Sequence, residues 1–329
     1  MNKCQGCGAQ LQIENKEEIG YTTKLESHLC ERCFRIQHYG DYKTVMKENK
    51  DYISILKSVN QTGSLVLLVV DLFFLNENFT IFKETLKDSK VLLVLTKRDL
   101  LPDSIYENKL LQYMDRFGIP FIDKIIISKK NYHYDELMDL IQKYQTSKKV
   151  YVVGYTNAGK STMINHMIYH YSNLNQEITT SMLPSTTLNQ IEIPLTDDLV
   201  LIDTPGILEE GTILDYIDEK TIKKILPKKA VNPITYQVKK ENSFHLDDFL
   251  IVSVEEPTNL TFFFSNSLQL ERKFEKAKIE KKFQGHTLSM KQNEDIVIAG
   301  LGFIKVSKPC KIKIQTLPNV KVYKRDSLI

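Results

Sequence analysis

The sequence predicts an α/β protein whose main body is a mostly parallel sheet. A cysteine-rich module precedes this body and a small α+β domain follows it. Three observations carry the prediction. Apolar runs at 64–71, 91–95, 122–127, 149–153, 189–194 and 199–202 alternate with amphipathic stretches such as "DELMDLIQKYQ" and "KSTMINHMIYHY". That is the rhythm of strands crossed by helices. Residues 1–40 hold four of the five cysteines and little hydrophobic periodicity. After Gly206 the alternation stops. β-Branched runs ("FLIVSV", "DIVIAGLGFIKV", "KIKIQ") then surround one charged stretch, "LQLERKFEKAKIEKKF", which reads as a helix. The expected division is 1–45, 46–215 and 216–329.

Composition fits a soluble chain: 42% of residues are hydrophobic and 26% charged. The opening "MNKCQGCGAQ" has no apolar signal region, and the longest apolar run, "LVLLVVDLFFL", is broken by Asp71 and too short for a bilayer. A cytoplasmic protein with no membrane contact is expected, as a monomer. From Lys220 onward, 19 Lys and 2 Arg face 11 acidic residues, a net +10, which leaves −7 for the rest of a chain of net charge +3. A basic C-terminal third on an acidic body points to an anionic partner; a solvated lysine-rich surface would look the same.

Taken in order, the first element is the cysteine module. Cys4-x-x-Cys7 and Cys30-x-x-Cys33 form two knuckles 22 residues apart. Four thiolates at this spacing suit tetrahedral Zn²⁺, with Gly6 and Gly8 allowing the tight turn. A disulfide pair is the rival, disfavoured in a reducing compartment. His28 and His38 are possible ligands, but four cysteines already close a structural site. Cys310 has no cysteine neighbour and reads as a buried apolar thiol.

The run 91–95 leads into Thr96-Lys97-Arg98-Asp99. A carboxylate at a strand end can accept from N1–H and the exocyclic amine of guanine, a donor pair that adenine lacks. The Lys97 stem can pack over the base. Ser128-Lys129-Lys130, one helix and one strand later, would close the base pocket. Next comes Gly154-Tyr-Thr-Asn-Ala-Gly159-Lys160-Ser161, which matches G-x-x-x-x-G-K-[ST] between a strand and a helix. Its glycines let backbone N–H groups turn around phosphate oxygens, and the helix start adds positive potential. Lys160 would reach the β/γ-phosphates and Ser161 would ligate Mg²⁺; Asn157 and Thr162 complete the loop. "PSTTLNQI" offers Thr187 as a second Mg²⁺ hydroxyl, with Thr186 as fallback. "VLIDTPGI" supplies Asp203 for the Mg²⁺ side and the Gly206 N–H for the γ-phosphate.

These are the five elements of a GTP-hydrolysing domain, in the order base, base closure, phosphate, first switch, second switch. A cyclic rotation of the usual order produces this arrangement. The short "QTSKK" would be the join, tolerable where old termini lie close. With "CQGCG…CERCFRIQHY", "TKRD", "SKK", "GYTNAGKST", "PSTTL", "DTPG" and "IAGLGFIKV", nearly the whole chain resembles the YqeH-type circularly permuted GTPases. That resemblance implies GTP hydrolysis and a role in assembly of the small (30S) ribosomal subunit, with binding to its rRNA or to a pre-ribosomal particle. The chain departs from the common pattern at Thr96 (usually Asn in GTPases), Ser185 (often Gly) and Phe303 (often Trp).

Ile207 stands where many GTPases carry a water-orienting Gln. Asn157 resembles the asparagine that coordinates K⁺ in cation-dependent GTPases, so Lys160, Asn157, Thr187 and Gly206 form the expected catalytic group, with K⁺ stimulation. Residues 207–220 read as the sole link between the γ-phosphate sensor and the basic domain, where Lys273, Lys276, Lys281 and Lys282 would face the anionic partner. A GTPase whose C-terminal domain binds a protein is the alternative. A zinc-ribbon RNA-binding module with a vestigial nucleotide site is opposed by the intact Lys160, Ser161, Asp203 and Asp99.

Overall fold

A computed structural model describes residue 4 and residues 10–15, 20–31, 49–75, 78–128, 132–172, 183–184, 190–207, 209–278 and 280–329. Cys7, Cys33, His38, Lys129, Lys130, Ser185, Thr186 and Thr187 lie outside these residues. In chain order the described elements begin with helix α1 (Asn49–Asn60), strand β1 (Leu65–Asp71), α2 (Thr80–Thr85), β2 (Lys90–Thr96), α3 (Glu107–Tyr113), β3 (Phe121–Ile126) and α4 (Tyr134–Tyr144). They continue with β4 (Lys149–Gly154), α5 (Lys160–Tyr171), β5 (Leu183–Pro184), β6 (Ile191–Thr196), β7 (Leu199–Asp203) and α6 (Glu219–Ile225). The remaining strands are β8 (Ile234–Val238), β9 (Asn242–Leu246), β10 (Leu250–Val254), β11 (Thr258–Phe264), β12 (Leu270–Lys273), β13 (Gln284–Met290), β14 (Glu294–Ile298), β15 (Gly302–Val306), β16 (Cys310–Thr316) and β17 (Val322–Asp326).

The chain forms two compact units. The first takes in Met1–Asp71, Asn78–Thr96 and Phe117–Leu208. Its sheet runs β3-β2-β1-β4-β7-β6-β5 among the described residues. The pairs β3–β2, β2–β1, β1–β4 and β4–β7 are parallel; β6 and β5 add antiparallel edges. "LVLLVV" of β1 and "VLLVLT" of β2 are buried along their whole length, as central parallel strands between helices must be. Helix α4 buries Tyr134, Leu137, Met138 and Ile141, a 3.6-residue stripe, and carries Asp135 and Glu136 at its positive end. Helix α5 buries Met163, Ile164 and Met167 against the same core. The chain steps outward from β1 to β2 to β3, returns to β4 beside β1, then crosses to the other edge at β5 and β6 and steps back in to β7 beside β4. The strand order therefore reverses between β1 and β4. The carboxyl ends of the strands at such a reversal are where α/β sheets bind ligands.

The second unit takes in Leu72–Glu77, Lys97–Arg116 and Glu209–Ile329. Two antiparallel sheets, β12-β9-β10-β16-β13 and β17-β14-β15-β11-β8, share one apolar core that includes Phe244, Val252, Phe262, Ile304 and Ile314. Two expectations are corrected here. The stretch 268–283 is not a helix: Leu270–Lys273 is strand, paired with β9 from Leu270↔Leu246 to Lys273↔Ser243. Ladder hydrogen bonds to β9 override a local helical preference that was never large. Residues 207–220 are also not the sole link, because the second unit takes up 72–77 and 97–116. Arg325 Nη1 donates to Leu75 O at 2.8 Å, and Val231 N–H donates to Leu100 O at 3.0 Å. Nor is the stretch after Gly206 loose. Ile213 is fully buried, its N–H bonds to Ala299 O at 2.8 Å, and Lys321 N–H bonds to Gly211 O at 2.8 Å. Phe303 is core, stacked on Phe263 with ring centroids 4.5 Å apart.

Candidate nucleotide-binding site

The site grows from the end of β4. Gly154 has φ +154°, and a Cβ there would sit 2.3 Å from Val69 O of the neighbouring strand. Only glycine fits. The loop then turns through Asn157 at φ +59° and Gly159 at φ +96° before α5 begins at Lys160. Successive left-handed and right-handed residues of this kind aim N–H groups into one concavity. Lys160 is 8% exposed; its Nζ donates to Gly154 O at 3.3 Å and Tyr155 O at 3.1 Å. Burial pushes the ammonium pKa down, and the nearby Asp203 carboxylate pushes it back up. Ser161 is half-buried and Thr162 exposed in the first turn of α5.

Asp203 is buried at the end of β7. The chain then follows the phosphate loop: Ile207 N–H donates to Gly154 O at 3.1 Å and Thr156 N–H donates to Ile207 O at 2.8 Å. At Gly206 an added Cβ would meet Lys160 Nζ at 2.8 Å and the Thr156 backbone N at 2.9 Å. The D-T-P-G segment is thus pressed onto the loop, with room for a backbone and nothing more.

Thr96 ends β2 and reaches the same loop. Its Oγ1 donates to Ala158 O at 2.6 Å and also lies 3.3 Å from Val70 O. One hydroxyl ties the phosphate loop to the strand that precedes the base-reading residues, so threonine suffices where asparagine is common. The second unit holds the residues that follow. Lys97 is left-handed at φ +60°, with Nζ 5.6 Å from the Phe74 ring centroid. Asp99 lies in the short 3-10 turn Arg98–Leu100. The buried Arg98 guanidinium braces this turn, donating to the carbonyls of Leu101 (3.2 Å), Pro102 (3.2 Å), Asp103 (3.4 Å) and Ile105 (2.8 Å).

Within the first unit the fold brings Thr96, Gly154, Asn157, Gly159, Lys160, Ser161, Thr162, Asp203 and Gly206 to one end of the sheet. Lys97 and Asp99 belong to the second unit, and Ser128 follows β3 with a bridge to Tyr132. Of the four module cysteines, Cys4 and Cys30 are buried together, and the Cys30 N–H points at Cys4 Sγ at 3.1 Å. Among the described residues, no three His, Cys, Asp or Glu side chains are grouped to hold a metal.

A family profile described as "50S ribosome-binding GTPase" matches residues 149–263. Over 362 residues the chain is 34% identical to the uncharacterized protein YqeH of Bacillus subtilis (strain 168), with 99% of each chain covered. The chain belongs to the YqeH-type circularly permuted GTPases. Two further relatives agree with this family. The small ribosomal subunit biogenesis GTPase RsgA of Latilactobacillus sakei is 31% identical over 51% of the chain and 55% of its own length. Human nitric oxide-associated protein 1 is 27% identical over 58% of the chain and 36% of its own length. The chain therefore spans about half or less of these two, but nearly all of YqeH.

Two residues of this YqeH-type site escape a reading of the sequence. Arg98 has no part in the reading of Thr-Lys-Arg-Asp as a base-binding element, yet it braces the whole turn. Tyr52 lies 102 positions before Gly154, and its hydroxyl accepts the Gly154 N–H at 3.2 Å. Local pattern carries no signal for either, since an apolar helix face shows a tyrosine but not what its hydroxyl touches.

Proposed function

We propose that the chain is a Mg²⁺-dependent GTP-hydrolysing switch that acts in assembly of the small ribosomal subunit. The nucleotide part rests on one observation: the cradle between β4 and α5, with Lys160 buried beside Asp203 and Gly206 pressed against both the lysine and the loop. The fit supports a phosphate chain, because a Cβ at Gly206 would press on both Lys160 Nζ and the Thr156 backbone inside the cradle. In this reading backbone N–H groups of the loop and Lys160 hold the β/γ-phosphates, and Gly206 N–H meets the γ-phosphate. Ser161, Asp203 and Thr187 (or Thr186) would hold Mg²⁺, which would supply positive charge against the phosphate oxygens. Asp99 takes the guanine donors, with Lys97 over the base and Ser128, Lys129 and Lys130 closing the pocket.

Water attacks the γ-phosphate to give GDP and inorganic phosphate. Ile207, buried and apolar, neither donates nor accepts at the position where a glutamine often orients that water. Asn157 stands exposed and left-handed at the loop tip, free to offer its amide oxygen to K⁺. Positive charge there would stand in for an arginine finger. The test is phosphate release from GTP and ATP, with and without Mg²⁺, in K⁺ and Na⁺ salts. Mg²⁺-dependent release from GTP, faster in K⁺, is expected; equal turnover of ATP would contradict the base assignment.

For the partner, the similar proteins point two ways. RsgA names the small subunit, whereas the profile names the large one but matches only the stretch 149–263. The resemblance to the YqeH-type GTPases runs through nearly the whole chain, and the small subunit is the partner which that resemblance implies. A contact on RNA is favoured by Phe274, 72% exposed, with the Arg272 guanidinium 4.6 Å from its ring centroid. An exposed aromatic beside a stacked arginine is a platform for unpaired bases. Three of the four lysines expected there are engaged: Lys273 with Glu271 (3.7 Å), Lys276 with Glu255 (2.7 Å) and Lys282 with Asp248 (3.0 Å). Ion pairs this exposed are weakly held in water, so a phosphate backbone can displace them. Cys4, Cys7, Cys30 and Cys33 would hold zinc as a fold staple for the N-terminal module. No helix among the described residues is long and apolar enough to cross a membrane. A cytoplasmic monomer remains part of the proposal.

A further inference from the structure

Helix α1 lies outside the five nucleotide-binding elements, yet it delivers one side chain into them. Tyr52 is 1% exposed. Its Oη accepts the Gly154 N–H at 3.2 Å and lies 3.5 Å from Gly154 O, with the Thr204 side chain beside it. The reason lies in the backbone. Strand β7 ends at Asp203 and Pro205 carries no N–H, so the parallel ladder between β4 and the D-T-P-G segment is interrupted. It holds at Thr204 N–H to Val152 O (3.2 Å) and resumes at Ile207 N–H to Gly154 O (3.1 Å). Within that gap the Gly154 N–H takes the tyrosine hydroxyl as its acceptor. Thr204 is fixed from its other side, where Oγ1 donates to Val152 O at 2.8 Å. Burial pushes the phenol pKa up, so Tyr52 keeps its proton and serves as donor and acceptor at once.

We propose that the Tyr52 hydroxyl is a positioning group for the γ-phosphate side of the site: it holds the Thr204–Gly206 segment in register with the first residue of the phosphate loop, and so ties helix α1 to both. This rests on the nucleotide reading above. Tyr52 touches no nucleotide in that reading; it acts through Gly154 and Thr204. GDP leans on the phosphate loop alone, whereas a γ-phosphate also needs Gly206 in place. Loss of the hydroxyl should therefore weaken a triphosphate more than a diphosphate.

The experiment uses the full chain. Equilibrium binding of fluorescent GDP and a fluorescent non-hydrolysable GTP analogue is measured in excess Mg²⁺ for the native protein, Tyr52→Phe, Thr204→Val and the double variant. Unfolding midpoints are recorded alongside. Tyr52→Phe keeps the ring and its packing. It is expected to weaken the analogue about tenfold and GDP less than twofold. Thr204→Val, which also loses the bond to Val152 O, should lower the same analogue-to-GDP ratio, and the double variant should lose less than the sum of the two single changes, because they share one linkage. A lowered unfolding midpoint with an unchanged analogue-to-GDP ratio would reduce Tyr52 to a packing residue and overturn the proposal. Additive losses in the double variant would also overturn it. Failure of the native protein to bind either guanine nucleotide would instead remove the nucleotide reading, and this proposal with it.

Discussion

At the residue scale the site divides into groups that local sequence reveals and groups that only the fold reveals. Lys160, Asp203, Gly206 and Asp99 are legible because each sits in a short pattern whose backbone conformation dictates the residue type. Gly154 is the plainest: a Cβ 2.3 Å from Val69 O is excluded by sterics, whatever binds nearby. Thr96 is legible as a position but not in its bonding, since the Ala158 carbonyl that accepts its hydroxyl at 2.6 Å comes from 62 residues away. Tyr52 is illegible for the same reason. The base assignment yields a sharp prediction. Asp99→Asn exchanges one acceptor for a donor, so GTP affinity should fall by about tenfold or more while xanthosine triphosphate affinity rises. Competition binding with the two nucleotides checks it. A strong charge-assisted bond is at stake, worth roughly 1.5–3 kcal/mol.

At the element scale, the strands and helices of the sheet were legible because burial on both faces leaves continuous Val/Leu runs, and because α4 and α5 repeat apolar residues at helical spacing. The stretch 268–283 was not, because its pairing partner β9 lies upstream in the chain and a charged run carries no mark of a neighbour. Helix α5 also holds a feature with a pH signature. His166 stacks on Tyr134 at 3.7 Å and on His170 at 4.2 Å between ring centroids. Burial, and next the positive charge that His170 can carry, push the His166 pKa below its usual 6.5, against a weaker pull from Asp135. A depressed folded pKa means that the unfolded chain takes the proton first. Stability is therefore full above pH 6.5 and falls as pH drops through the folded value, with a slope of at most about 1.4 kcal/mol per pH unit. Thermal unfolding between pH 8 and pH 5 should show this slope, and His166→Phe should flatten the part below pH 6.5. An unchanged profile in the variant would place the pH dependence elsewhere.

At the scale of the whole molecule, the order of the elements is the organising fact. The strands β1, β2 and β3 come before the phosphate loop, and the segment after Gly206 runs into the second unit, docked there by Ile213 and Gly211 rather than left as a free tether. The N-terminal module should behave as a metal-dependent fold. One zinc per chain is expected, and Cys30→Ser should lose the metal and lower the unfolding temperature of the native protein. Protein purified without chelator that carries no zinc by elemental analysis would refute this.

The switch itself is tested most directly by co-sedimentation with small ribosomal subunits, titrated with a non-hydrolysable GTP analogue and with GDP. A nucleotide can shift an equilibrium only by its differential affinity for two states. At least a fivefold difference between the two midpoints is expected, with tighter binding at low salt and convergence of the two curves in Gly206→Ala, where a Cβ would meet the Thr156 backbone at 2.9 Å. Superimposable isotherms for the native protein in the two nucleotides, or binding to the large subunit alone, would contradict it.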